Sequence, residues 1–143
     1  MRPTDWAEVT RELRSALELL HDRGFVVLGE PVAEGVARRG LLRRRRPAPV
    51  RYVQVLRTED VLSGECVGPT SMGGTWEMDD VIVQQLVALG WRTPAEARAL
   101  QGARTPNFTL HVPTDQVSDL TDLLVASLQV LGAVPHQLVL TGG

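Results

Sequence analysis

The chain has 143 residues, 43% of them hydrophobic, which is enough for one compact domain with its own core. A formal net charge of −2 argues against a protein that neutralises nucleic-acid phosphate or anionic lipid over its whole surface. The single cysteine excludes an intramolecular disulfide, and no apolar run is long enough to span a bilayer. Because the first residues also lack a signal-peptide pattern, we expect a cytoplasmic protein.

The chain begins with an amphipathic pattern that predicts a helix. From Trp6 onward, apolar residues recur at steps of three and four, with charged residues between them. Asp5 and Glu8 have the spacing of a capping box, and Gly24 is expected to supply the left-handed residue that ends the helix. The apolar run 25–28 is too short for another helix and predicts the first strand.

A segment rich in glycine, proline and arginine, from about 30 to 49, predicts a long flexible loop. It contains four consecutive arginines, Arg43, Arg44, Arg45 and Arg46. Two interpretations stay open for this run. It is either a solvated, self-repelling loop or a basic site that attracts an acidic or phosphate-rich partner.

Two alternating runs, 50–56 and 61–67, flank a turn at 57–60 and predict a β-hairpin. Both faces of these runs carry apolar residues. A strand at the bare edge of a sheet has less need of two apolar faces, so we expect both strands to lie inside the sheet.

The second half of the chain predicts two further helices and one or two strands. Thr75 is a candidate cap for a helix that ends at Gly90, while 95–100 predicts one helical turn inside an irregular segment. Residues 108–112 alternate as in a strand, and 117–131 form the apolar stripe of a long helix. The last apolar residues predict a closing strand or a packed tail.

The order of these elements predicts the fold class. Each helix has one apolar stripe to bury, and an antiparallel sheet offers a face for it. We therefore expect an α+β fold, an antiparallel sheet packed with about three helices, in a single domain over residues 1–143.

The side chains able to carry out chemistry are scattered along the chain. His21, His111 and His136 fall in different predicted elements, and neither a His-Glu-x-x-His motif nor paired cysteines occur. Cys66 has no histidine near it in sequence and is expected to be a small buried side chain. The loop 71–75 lacks the pattern of a phosphate-binding loop. We expect no catalytic, cofactor-binding or metal-ligating residues.

Five motifs together carry a resemblance to a known family. They are Arg51-Tyr52-Val53-Gln54, Leu62-Ser63-Gly64-Glu65-Cys66-Val67, Leu89-Gly90-Trp91-x-x-Pro94, Thr105-Pro106-Asn107-Phe108 and Val134-Pro135-His136. Over about residues 50–140 the chain resembles the TY-Chap family of high-GC bacteria, whose members are type III secretion chaperone-like and YbjN-like domains.

The resemblance implies a secretion-chaperone fold of the CesT and YbjN type, often paired into homodimers, that binds protein rather than converting a substrate. Such a binding role needs no cofactor. The residues that match the family's motif positions are expected to shape the domain rather than to contact a client: Tyr52, Gly90, Trp91, Pro94, Pro106, Asn107 and Phe108.

The leading functional hypothesis is a non-enzymatic, chaperone-like adaptor that binds a protein partner or a secreted or toxin client by hydrophobic contact or strand addition. Candidate contacts are exposed apolar positions of the sheet and of the second helix around Met78 and Ile82, with Arg43 to Arg46 steering an acidic partner. Core packing is the alternative for Met78 and Ile82. A regulator that binds nucleic acid through the arginine-rich loop is a second hypothesis, and an enzyme of unrecognised type is a third.

Overall fold

The computed structural model describes residues 5–31, 50–74, 76–102 and 104–143. The predicted arginine-rich loop, with Arg43 to Arg46, and the predicted helix cap Thr75 lie outside these ranges. The described helices and strands are, in chain order, α1 (Trp6–Glu18), β1 (Phe25–Gly29), β2 (Tyr52–Thr58), β3 (Val61–Cys66), α2 (Asp80–Leu89), α3 (Pro94–Gln101), β4 (Phe108–Pro113), α4 (Val117–Val130) and β5 (Val139–Gly142).

The five strands form one antiparallel sheet in the order β4-β3-β2-β1-β5. The predicted hairpin of β2 and β3 lies inside the sheet, as its two apolar faces indicated. On one side of the sheet, α1 and α4 pack against each other and contact β1 and β2, and α2 packs on α4. The predicted α+β fold is confirmed, with four helices among the described residues instead of about three.

The core lies between the sheet and these helices. Alternate strand residues such as Val53 and Val55 are buried on this side, where they meet the stripe of α4 that includes Leu124 and Leu128. No helix in the described part of the chain is long and apolar enough to cross a membrane.

The start of α1 is as predicted, but its predicted end is wrong. Asp5 accepts a hydrogen bond from the Glu8 backbone N–H at 2.8 Å. The left-handed residue after the helix is Arg23, with φ 66°, and not Gly24. Gly24 instead joins the helix turn to the sheet, because its carbonyl accepts a hydrogen bond from the Arg57 N–H at 3.0 Å.

Helix α2 begins later than the sequence predicted. The Asp79 carboxylate accepts a hydrogen bond from the Ile82 N–H at 2.9 Å, which makes Asp79 the cap and leaves Met78 before the helix. Gly90 ends α2 with φ 119°, in the region that favours glycine.

The segment after Trp91 contains more regular structure than the sequence predicted. Thr93 caps α3 through a bond from the Glu96 N–H at 3.2 Å, and Pro94 occupies the first helical position, where its missing N–H costs nothing. The helix has eight residues instead of one turn. The last apolar residues form the strand β5, which pairs with β1.

Candidate functional site

One face of the sheet is not packed by α1, α2 or α4, and we call it the open face. At its β4 end α3 reaches this face, where Gln101 Oε1 lies 3.4 Å from His111 Nε2. Helices α1, α2 and α4 lie on the opposite side, and α3 lies beside the edge strand β4. Strand registers assign alternate side chains to the open face. They are Phe25, Val27, Tyr52, Gln54, Leu56, Val61, Ser63, Glu65, Thr109, His111, Val139 and Thr141.

Large apolar side chains reach solvent at one end of the open face. Phe25 is 41% exposed, Leu56 40% and Val61 42%. Phe25 and Leu56 are direct cross-strand partners, and Val61 is the diagonal neighbour of Leu56 on β3, so the three side chains form one apolar patch. A solvated sheet face usually alternates to polar residues, and a contiguous apolar patch on it therefore indicates an interaction surface.

A groove of about 420 Å³ lies at the other end of the open face, beside β5. Its apolar lining includes Val27, Tyr52 and Val139, and Glu30 and Gln54 add polar groups. Groove and patch adjoin on the same sheet surface, since Val27, which lines the groove, is two residues from Phe25 on β1. Together they offer an apolar track across several strands.

The two edge strands of the sheet, β4 and β5, differ in the hydrogen bonding of their outer backbone groups. At β4, Thr109 exchanges both backbone hydrogen bonds with Arg92, at 2.9 and 3.1 Å, which covers part of that edge. At β5, Gly143 exchanges two backbone bonds with Phe25, so the alternating antiparallel pattern directs the backbone groups of Leu140 and Gly142 outward. No residue of the described ranges pairs with that outer edge.

Asn107 joins three segments beside the open face. Its Oδ1 accepts from the Gly68 N–H at 3.1 Å, and its Nδ2 donates to the Tyr52 hydroxyl at 3.0 Å. A Cβ on residue 68 would overlap the Pro106 carbonyl, so glycine permits this close approach. The Pro-Asn motif thus builds the corner from which Phe108 enters the core.

The hydroxyl of Tyr52 has a raised pKa. Burial raises the pKa of Tyr52 above its ordinary value of 10.0, the hydrogen bond from Asn107 opposes this, and the nearby charge of Glu65 adds to the increase. Tyr52 therefore presents a protonated hydroxyl to the open face at neutral pH.

Arg51 and Glu30 form a fixed ion pair near the groove. Their Nη1 and Oε2 atoms are 3.1 Å apart, and the Arg51 backbone N–H also donates to Glu30 at 2.9 Å. The Arg51 Nε donates to the Leu131 carbonyl at 2.7 Å, and the guanidinium lies 5.1 Å from the ring centre of Trp76. These contacts give the Arg51 side chain a structural role.

The nucleophile and histidine pairs among the described residues are poorly arranged for catalysis. Ser63 Oγ lies 2.9 Å from His111 Nδ1, but the other ring nitrogen is 3.4 Å from a Gln101 amide oxygen rather than a carboxylate. Cys66 is buried, and burial raises the pKa of its thiol to about 12, which disfavours the thiolate.

Of the residues proposed from sequence as partner contacts, Met78 and Ile82 lie on the core side of the sheet and not on the open face. Met78 and Ile82 are half-buried and pack against the core, whereas Val81 and Val87 are the exposed apolar residues of α2, at 60% and 40%. Arg43 to Arg46 lie outside the described residues. Whether any of these contacts a partner stays a prediction.

The family-motif residues are distributed between core and corner. Trp91 and Phe108 are at most 2% exposed, Pro94 is buried, and Gly90 ends α2. Pro106 is exposed, and it lies next to Asn107 at the corner.

The sequence pointed to exposed apolar positions of the sheet in general but did not identify Phe25, Leu56 and Val61 as an apolar patch. The period-two alternation of β2 and β3 placed Leu56 and Val61 on a defined face, so part of the information was present. The sequence did not show which face the helices would cover.

A protein-family model described as "T3SS (YopN, CesT) and YbjN peptide-binding chaperone 3", TY-Chap3, matches residues 2–143. The chain belongs to the TY-Chap3 family. No curated protein and no solved structure matches it. The resemblance inferred from the motifs between Arg51 and His136 is thereby confirmed, and the match extends to α1 and β1. A family of peptide-binding chaperones implies that this TY-Chap3 chain binds a protein client.

Proposed function

We propose that this protein is a non-enzymatic, cytoplasmic chaperone-like adaptor that holds an apolar segment of a client protein on the open face of its sheet. The observation that carries the proposal is the uncovered apolar patch of Phe25, Leu56 and Val61, continued by the groove beside β5. Membership of a peptide-binding family supplies the class of ligand.

The physical reason is that α1, α2 and α4 cover one face of the sheet and leave apolar side chains of the other face in water. An antiparallel sheet with one face on a core normally solvates the other face through polar side chains. Here each of the three patch residues keeps about 40% of its surface in water. A bound apolar segment removes this surface from water, which stabilises the complex by roughly 25 cal/mol per Å² before the cost of ordering the segment.

The geometry of the reactive groups supports a binding role over an enzymatic one. The Cys66 thiol is buried with a pKa of about 12, and His111 has an amide where a catalytic triad has an acid. We therefore keep an enzyme of unrecognised type only as the weaker alternative.

Peptide selection followed by affinity measurement tests the proposal. A displayed library of random twelve-residue peptides is selected on the purified protein, and enriched peptides are titrated by fluorescence anisotropy. We expect apolar-rich peptides to bind. The variant Phe25→Thr, Leu56→Thr, Val61→Thr should weaken binding at least about tenfold, because threonine keeps strand propensity but removes the apolar contact.

The matched control replaces three exposed apolar residues elsewhere: Val81→Thr, Val87→Thr, Leu100→Thr. We expect this control to bind peptides as the wild type does, with both variants folded by circular dichroism. Equal loss in the two variants, or no enriched peptide, contradicts the open face as the client site.

Strand addition to β5 is the alternative binding mode. The outward N–H and C=O groups of Leu140 and Gly142 offer a short edge next to the groove that no described residue pairs with. N-methylation of alternate amides in a selected peptide distinguishes the modes. Strand addition requires those amides, and binding by side chains on the open face does not.

Pairing into a homodimer, which the family resemblance implies, is part of the proposal and is tested by light scattering of the purified protein. The nucleic-acid alternative depends on Arg38, Arg39 and Arg43 to Arg46, outside the described part of the chain. It predicts binding to DNA or RNA that weakens steeply with added salt.

A further inference from the structure

The open face is not apolar throughout, because a polar row crosses its centre. Strand registers place Gln54 opposite Glu65 and Glu65 opposite Thr109. The apolar patch of Phe25 and Leu56 lies on one side of this row, and Tyr52 lies on the other. A segment that runs from the apolar patch across β2 and β3 toward Tyr52 and Asn107 passes over the Glu65 carboxylate.

The Glu65 carboxylate has no cationic partner within the described ranges. The ion pair found there joins Arg51 to Glu30, and Arg51 is further held by the Leu131 carbonyl. Glu65 Oε2 has one long contact, 3.4 Å to Asn107 Nδ2, and that amide has its shorter bond with the Tyr52 hydroxyl.

Other groups near Glu65 do little to offset the charge of its carboxylate. Glu65 is half-buried, and Thr109 opposite it is 7% exposed with a hydroxyl that has no hydrogen-bond partner among the described residues. A wholly apolar ligand that covered this row would remove water from the carboxylate without replacing its hydrogen bonds. The desolvation of an unpaired charge is costly, so such a ligand is disfavoured.

We propose that Glu65 determines specificity by selecting client segments in which a lysine or arginine interrupts an apolar stretch. The inference rests on the proposed function and names the class of segment. The aliphatic stem of such a residue packs along the apolar patch while its charged end reaches the carboxylate. The charge preference is opposite to that expected from Arg43 to Arg46, which would steer an acidic partner.

The test uses one selected peptide in three versions that carry lysine, norleucine or glutamate at the enriched position. Norleucine keeps the aliphatic stem and removes only the charge. On the wild type, we expect the lysine peptide to bind about three- to tenfold more tightly than the norleucine peptide, and the glutamate peptide to bind most weakly. On Glu65→Gln, the lysine and norleucine affinities should agree within about twofold.

Glu18→Gln is the matched control. It removes the same charge from an exposed side chain of α1, on the opposite side of the sheet. It should keep the wild-type preference for lysine. Selected peptides that are apolar but lack an enriched cation, or an unchanged preference in Glu65→Gln, would overturn the role of Glu65 and leave the proposed function standing. Preferred binding of the glutamate peptide would overturn it in favour of steering by arginine. If no peptide binds the wild type, the proposed function itself fails.

Discussion

Trp91 is held by packing and by one buried polar contact. Its Nε1 donates to Ser127 Oγ at 2.7 Å, and that hydroxyl donates to the Leu123 carbonyl at 2.7 Å. A buried donor left without a partner costs about 1–3 kcal/mol, so this chain of bonds fixes the residue after α2 against α4. The Leu-Gly-Trp motif is therefore explained by the architecture of the domain.

The buried thiol of Cys66 is expected to make the stability of the fold depend on pH under alkaline conditions. Burial raises the pKa of its thiol from 9.0 to about 12. Above about pH 9 the unfolded chain loses this proton while the folded chain keeps it, so the unfolded state binds fewer protons and the free energy of unfolding falls as pH rises. Between about pH 8 and pH 10, we expect Cys66 to contribute a loss of about 1.4 kcal/mol.

Urea unfolding of the wild type and of Cys66→Ala at both pH values measures this contribution. The variant is less stable at pH 8 because it leaves a small cavity, but its stability should fall less between the two pH values. Parallel pH dependences in the two proteins would show that the thiol is not responsible.

At the scale of the elements, the beginning of α2 depends on one side chain. The Asp79 carboxylate accepts the Ile82 N–H at 2.9 Å, whereas Asp80 lies inside the first turn. We expect Asp79→Ala to lower the free energy of unfolding by about 1 kcal/mol, because an N–H at the helix start loses its acceptor. Asp80→Ala loses only a favourable charge near the helix dipole and should cost about 0.3 kcal/mol. Equal costs in urea unfolding would contradict the assignment of the cap.

Most element types followed from local sequence patterns, because hydrophobic period and caps are local properties. Asp5, Gly90 and the alternation of β2 and β3 each gave a correct element or boundary. Residue 24 was misassigned because tertiary pairing decided it. The carbonyl of Gly24 bonds to Arg57, and Arg23 adopts the left-handed conformation instead.

The candidate site was less predictable than the elements. Local alternation separates the two faces of a strand, but the positions of α1 and α4 decide which face is covered. The sequence therefore drew attention to Met78 and Ile82, which pack against the core, and not to Phe25 or Leu56. The pairing of Glu65 with Thr109 across two strands was likewise a property of register.

At the scale of the whole molecule, a helical layer on one side leaves the other side of the sheet to carry both apolar and polar groups. In the proposed function the apolar patch provides the binding surface, while Glu65 and Gln54 keep the centre of the same face hydrated when it is empty. Such a surface tolerates water in the free protein and still gains from burial when a ligand with a matching charge arrives.

Because the net charge is low, we expect association between copies of the chain through this surface to depend on pH. The isoelectric point is near 5.9, where repulsion between copies of the chain is weakest. We expect light scattering of the purified protein to rise as pH falls from about 8 to about 6, because the patch of Phe25, Leu56 and Val61 then forms contacts between molecules. The Phe25→Thr, Leu56→Thr, Val61→Thr variant has the same charge at every pH and should lose this rise. If it scatters as the wild type does, the association does not proceed through the open face, and the surface would have to be sought on the exposed residues of α2.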